Sequence, residues 1–209
     1  MEEQFSPEDQ VALGWAFGSG APSGQVLRER VQRGEAMTDD DLIAIRREWE
    51  AAGRPVYERH VHRDVVEFPD GTSVIAVSFG DDPYARETAP AFGLYLDERW
   101  DPPWPHEHLA WPDFGLPDPD ELGAALPRLL ARARGGDVVE IGCLGGHGRT
   151  GSALACLAVL TGVPADGAVD WVRAHYCPGA VETDDQRAFV ERSGALSRRP
   201  RPPEAPSAS

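Results

Sequence analysis

Between Val138 and Leu160 the chain passes from a short apolar run (Val138, Val139, Ile141) through Gly142-Cys143-Leu144-Gly145-Gly146-His147-Gly148-Arg149-Thr150-Gly151 into an apolar segment, Ser152 to Leu160. No other feature constrains the fold as much. The order reads as strand, glycine-rich loop and helix N-terminus, the connection expected of an α/β sheet. A loop in that setting turns successive backbone N–H groups inward and adds the positive end of a helix dipole, which together favour an anion. A cysteine at the start of such a loop is favoured as thiolate. An arginine at its end can fork two oxygens of one phosphate. Thiolate, anion nest and guanidinium in one loop are the parts needed to hydrolyse a phosphate ester through a phosphocysteine.

The loop resembles the Cys-x5-Arg-[Ser/Thr] signature of the protein tyrosine phosphatase superfamily. Two further segments carry the resemblance. Trp111-Pro112-Asp113-Phe114-Gly115-Leu116-Pro117 is similar to the mobile acid loop of that family and lies upstream of Cys143, in the family's order. Val181-Glu182-Thr183-Asp184-Asp185-Gln186 is similar to its downstream Thr-x-x-Gln segment. The match runs from Trp111 to Phe189, and the N-terminal half shows none. The resemblance implies an α/β phosphatase-type fold, a mixed central sheet flanked by helices.

It also implies roles. Cys143 is the nucleophile and Arg149 the phosphate ligand. Leu144, Gly145, Gly146, His147 and Gly148 line the phosphate loop with Arg149. Asp113 is the general acid and then the general base. Trp111 and Pro112 support the acid loop. Thr150 donates to the sulfur, and Gln186 positions water. His147 stands where lipid and inositol phosphatases of the superfamily carry Lys, so it either meets a second phosphate or points at neighbouring loops.

Two departures stand out. The family usually places His before the nucleophile, where it orders the loop; here the residue is Gly142. The Asn-Arg-Tyr segment that clamps the phenol ring in tyrosine-specific members is missing, and the chain has no Asn at all. Another aromatic, such as Tyr57 or Tyr84, would have to take that part.

The first substrate that the resemblance implies is a phosphotyrosine protein. A small phosphorylated metabolite, such as an inositol phosphate or nucleotide, is the alternative, and a catalytically dead phosphate-binding module the third reading. No cofactor is expected. His60-x-His62 and His106-x-His108 have metal-compatible spacing, but no third ligand is evident in sequence and the superfamily needs no metal, so none is expected. Cys177 could pair reversibly with Cys143 to protect it. Cys156 reads as core.

A net charge of −15 disfavours nucleic acid and anionic membranes as partners. All 20 basic residues are Arg and Lys is absent, a bias that points to a GC-rich bacterial genome. The acidic start has no apolar signal region, no run approaches membrane-spanning length, and the three Cys form no disulfide framework. A cytoplasmic protein is expected. The sequence does not indicate an oligomeric state.

The 209 residues fit one domain over 1–194, with residues to about 100 shaping the substrate site and 195–209 a disordered tail. Ser6-Pro7 opens a short helix, and Phe17 to Gly24 reads as a loop. Thr38 caps a helix running to about Ala52. Strands are expected over Val61 to Phe68, Ser73 to Phe79, Phe92 to Leu96, His106 to Trp111 and Asp137 to Ile141. Helices follow Asp118 or Asp120 to about Arg134, then cover Ser152 to Leu160, Ala165 to His175 and Asp184 to Arg192.

Overall fold

The computed structural model describes residues 6–19, 21–54, 62–79 and 88–194. They pack as two compact units, one of residues 1–61 together with 112–115, the other of the rest. The expected tail, Tyr57, Tyr84 and His60 lie outside the described residues.

Among its described residues the first unit holds three helices, α1 (Pro7–Ser19), α2 (Pro22–Gln32) and α3 (Asp39–Ala51). Thr38 caps α3 as its sequence suggests. The Thr38 hydroxyl accepts from the Asp41 N–H, and the Asp41 carboxylate accepts from the Thr38 N–H, closing a capping box. The expected Phe17–Gly24 loop is instead the end of α1 and the first turn of α2. Its glycine, serine and proline read as breakers, yet Pro22 sits in the first turn of a helix, where its fixed φ helps and its missing N–H costs nothing. Gly24 lets the helices meet, since a Cβ there would lie 2.3 Å from the Ala16 carbonyl oxygen. Ala12, Ala16, Leu27, Ile45 and Trp49 form the core of this unit. Arg46 pairs with the buried Asp9, and Arg30 with Asp41 at 2.6 Å.

The second unit is built on a five-stranded sheet of β1 (Arg63–Glu67), β2 (Ser73–Ser78), β3 (Phe92–Tyr95), β4 (His106–His108) and β5 (Val139–Cys143). The order is β1-β2-β5-β3-β4; β1 runs antiparallel to β2 and every other pair is parallel. β5 is therefore central and buried along its whole length, as a strand covered on both faces must be. Among the described residues the other α-helices are α4 (Pro119–Arg134), α5 (Gly148–Leu160), α6 (Ala168–His175) and α7 (Asp184–Arg192), with a 3-10 turn over Ala165–Gly167 where the sequence put the start of α6. Asp118 is the cap of α4, its carboxylate accepting from the Asp120 and Glu121 N–H groups.

One large core joins Ala76, Leu94, Val139 and Ile141 of the sheet to α4, α5, α6 and α7. α5 is its centre, buried from Gly148 to Ala158. A separate aromatic cluster gathers Val77 and Tyr95 with Phe79, Trp100 and Trp104. Gly93 makes room for the Tyr95 ring, whose hydroxyl accepts from Trp104 Nε1 at 2.6 Å and donates to Glu140 at 3.2 Å. Burial raises the Tyr95 pKa well above a phenol's ordinary value. The mixed sheet with its flanking helices is the expected fold class.

Candidate active site

The central strand ends on Cys143, paired in register with Ser78 of β2. The chain then turns through Leu144, Gly145, Gly146 and His147 into α5. Gly146 needs to be glycine on two counts. Its φ is 78°, and a Cβ there would come within 2.8 Å of His62 Cδ2 and 3.0 Å of the Tyr176 hydroxyl. His147, the residue before α5, makes no side-chain cap, so the positive end of α5 faces the loop through backbone N–H groups. The Thr150 hydroxyl lies one turn into α5 and donates to Cys143 Sγ at 3.1 Å. Both residues are buried.

Gly142 has a physical explanation. A Cβ at that position would lie 2.5 Å from Val77 Cγ2 and 2.7 Å from the Val77 carbonyl oxygen. β2 leaves no room for a side chain before Cys143. The loop is ordered by other contacts: Tyr176 donates to the Gly146 carbonyl at 2.6 Å, and the Phe79 N–H to the Leu144 carbonyl at 3.2 Å.

Arg149 is buried, and its guanidinium is aimed by three acceptors. Nη1 donates to the Leu96 carbonyl at 3.0 Å and to the Trp111 carbonyl at 3.1 Å, while Nη2 lies 3.2 Å from Asp97 Oδ2. Asp97 follows β3 and is itself buried. Hydrogen bonds from Arg99 are the main reason its carboxyl is held down to about 2 against the effect of burial, and the Arg149 charge adds to them. Sequence reasoning missed Asp97. The available signal was an acid at the C-terminal end of a strand beside the central one, where sites of parallel sheets collect.

Trp111 is buried with its ring edge-on to Phe189, and its carbonyl is the Arg149 acceptor just described. Pro112 and Asp113 are exposed and belong with the helical unit. The turn there closes through the Gly115 N–H to the Pro112 carbonyl at 3.0 Å and puts Phe114 at φ 56°. The Phe114 ring stacks on Phe17 at 5.6 Å, with the Arg28 guanidinium 5.2 Å from its centroid. Nothing in the sequence linked α1 and α2 to this turn.

Gln186 is fully buried. Its Oε1 accepts from the Glu182 and Thr183 N–H groups, completing a capping box for α7, and its Nε2 has no hydrogen-bond partner among the described residues. The carboxamide lies against the start of α5; a Cβ on Gly148 would be 3.1 Å from Nε2 and 2.3 Å from Glu182 Oε2.

His147 is turned towards its neighbours. Its Nε2 lies 3.2 Å from Nε2 of His62, whose Nδ1 lies 2.8 Å from Asp64 Oδ2. Tyr176 stands 4.7 Å from the His62 ring, its hydroxyl pKa raised by burial. Cys177 is buried and its pKa is also raised by burial; Cys156 is buried and raised to about 12. In sum, Cys143, Arg149, Thr150 and Trp111 come together in the sheet unit, with Gln186 against Gly148.

No family model matches the chain. It is 34% identical over 107 residues to a protein of Methanocaldococcus jannaschii, "Uncharacterized protein MJECL20", covering 46% of this chain and 71% of the relative. Among solved structures, a mutant form of Tk-PTP superposes with a TM-score of 0.52 at 26% identity, over 62% of this chain and 94% of its own. A kinase associated phosphatase (KAP), with its catalytic-site cysteine substituted by serine, gives a TM-score of 0.56 at 14% identity over 68% and 99%, a likeness of fold. The chain belongs to the family of the M. jannaschii protein, and its fold is that of the protein tyrosine phosphatase-like phosphatases.

Proposed function

We propose that this protein hydrolyses phosphate monoesters through a phosphocysteine on Cys143, with phosphotyrosine protein as its substrate class. The observation that carries the reading is the Thr150 hydroxyl donating to Cys143 Sγ at 3.1 Å, at the foot of a glycine loop that leads into a buried helix. The likeness to Tk-PTP supports it.

The substrate phosphate enters the loop of residues 144–149. Cys143 Sγ attacks phosphorus; the P–S bond forms as the P–O bond to the leaving group breaks, and Asp113 gives that oxygen its proton. The loop N–H groups and the Nε–Nη2 edge of Arg149 hold the equatorial oxygens. Asp97 and the Leu96 and Trp111 carbonyls keep the guanidinium from swinging away. Water placed by Gln186 Nε2 then loses a proton to Asp113 and attacks phosphorus. The P–S bond breaks, and the Thr150 hydroxyl stabilises the departing thiolate. This chemistry calls on no metal.

The metabolite alternative leaned on His147 meeting a second phosphate. Its ring is instead directed at His62, so phosphotyrosine protein is the better reading. Phosphate release from phosphotyrosine peptides, inositol phosphates and nucleotides tests it. Faster release from the peptides is expected, and a clear preference for either small-molecule class would overturn the substrate assignment.

A further inference from the structure

We propose that His62, His147 and Cys177 form a binding site for a divalent ion of the zinc class, set against the outer side of the phosphate loop. Their ligand atoms all lie within 4.8 Å of one another, with His62 and Cys177 buried and His147 half-buried. The three come from separate places: His62 just before β1, His147 inside the loop, Cys177 just after α6. No spacing motif joins them, so neither histidine pair of the sequence is this site; the fold brings His62 to two donors far from it in the chain.

The donors match one ion chemistry. Two imidazoles and a thiolate suit zinc and its borderline-soft neighbours, and suit neither magnesium nor calcium. The two Nε2 atoms stand 3.2 Å apart, close to the roughly 3.3 Å expected between two nitrogens on a tetrahedral zinc. Asp64 supports His62 from behind. Its carboxylate lies 2.8 Å from Nδ1, which favours the tautomer with the proton on Nδ1 and leaves the Nε2 lone pair for an ion, the carboxylate–histidine arrangement of metal centres. Two glycines give the ligands room. A Cβ on Gly179 would lie 3.2 Å from His147 Cδ2 and 3.7 Å from Cys177 Sγ, and one on Gly146 would strike His62. Three protein ligands leave a fourth position for water.

Occupancy has a consequence for the loop. The His147 carbonyl accepts from the Gly151 and Val181 N–H groups, at 2.9 and 3.3 Å. An ion on its ring would tie this backbone to the start of β1 and to the turn after α6. The loop would lose the freedom to adjust round a phosphate, and turnover would slow. This regulatory step rests on the phosphatase reading; the ion site does not.

The test uses the full chain, stripped with chelator and titrated with Zn²⁺ alone against a chromophoric chelator. One ion per chain is expected, with Mg²⁺ failing to compete. Asp64→Asn should weaken the ion by about 10- to 100-fold, His62→Ala and Cys177→Ser by more, and Cys143→Ser not at all. Co²⁺ should give a thiolate-to-metal charge-transfer band that Cys177→Ser removes. Circular dichroism checks that each variant is folded, and Asp64→Asn serves if Cys177→Ser is not. The site is overturned by the lack of a stoichiometric ion, by equal competition from Mg²⁺, or by binding lost in Cys143→Ser and kept in Cys177→Ser. Phosphate release is read separately: Zn²⁺ should slow the wild type and leave His62→Ala unaffected. Full Zn²⁺ binding with unchanged turnover overturns the regulatory step. No turnover in any sample refutes the phosphatase reading and leaves the ion site standing.

Discussion

Cys143 accepts a hydrogen bond from Thr150, and its proposed role has a direct test. Cys143→Ser should abolish phosphate release while vanadate or phosphate still binds, because Arg149 and the loop N–H groups remain; residual turnover above background would refute the nucleophile. Asp113→Ala should lower kcat by about 10²–10⁴ for a tyrosyl leaving group and much less for one that departs without a proton. An equal loss for both would make Asp113 structural. Asp97 predicts a pH dependence. Its carboxyl is held at about 2, below the ordinary value of 3.8, chiefly by Arg99. A depressed carboxyl adds stability that is complete above the unfolded value and is lost as pH falls through the folded one. Urea titrations should therefore show on the order of 2 kcal/mol disappearing between pH 4 and 2, and Asp97→Asn should flatten that slope. Gly142 was legible in the sequence only as an omission. Its cause is the distance to Val77, which no local pattern encodes, and Gly142→His should destabilise the fold rather than tune the thiol.

At the scale of elements, helix starts were legible because capping is local chemistry: Thr38 is the expected cap, Asp118 is one of the two that the sequence offered, and Thr183 directly precedes the helix expected from Asp184. The strand–loop–helix setting of Cys143 was legible for the same reason, a strand and a helix with their junction contiguous in sequence. What was not legible depends on segments far apart. α2 was hidden by its composition, and the Asp97–Arg149 and Tyr176–Gly146 contacts join residues 52 and 30 positions apart. The stacking of Phe114 on Phe17 with Arg28 alongside is of that kind, and it predicts that helices outside the matched half control the acid turn. Phe17→Ala should lower kcat for tyrosyl substrates and spare leaving groups that need no proton, the same signature as losing Asp113. If both substrates keep full rates, the stack is packing alone.

Across the whole molecule, the charge of −15 acts on any phosphorylated substrate. Raising ionic strength from about 0.01 to 0.15 M shortens the Debye length from about 30 to 8 Å. kcat/KM should then rise for multiply phosphorylated small molecules, whose repulsion is screened, and fall for a basic phosphotyrosine peptide, whose attraction is lost. The sheet order has a consequence for synthesis. Of the described strands β5 is the middle one in space and the last in sequence, so on the ribosome β1–β2 and β3–β4 emerge as two half-sheets, each with an inner edge still waiting for its partner. Those edges are templates for the wrong neighbour until residues 139–143 arrive. The segment that closes the gap also carries Cys143, so a nascent chain completes its sheet and sets that thiol in place in the same step.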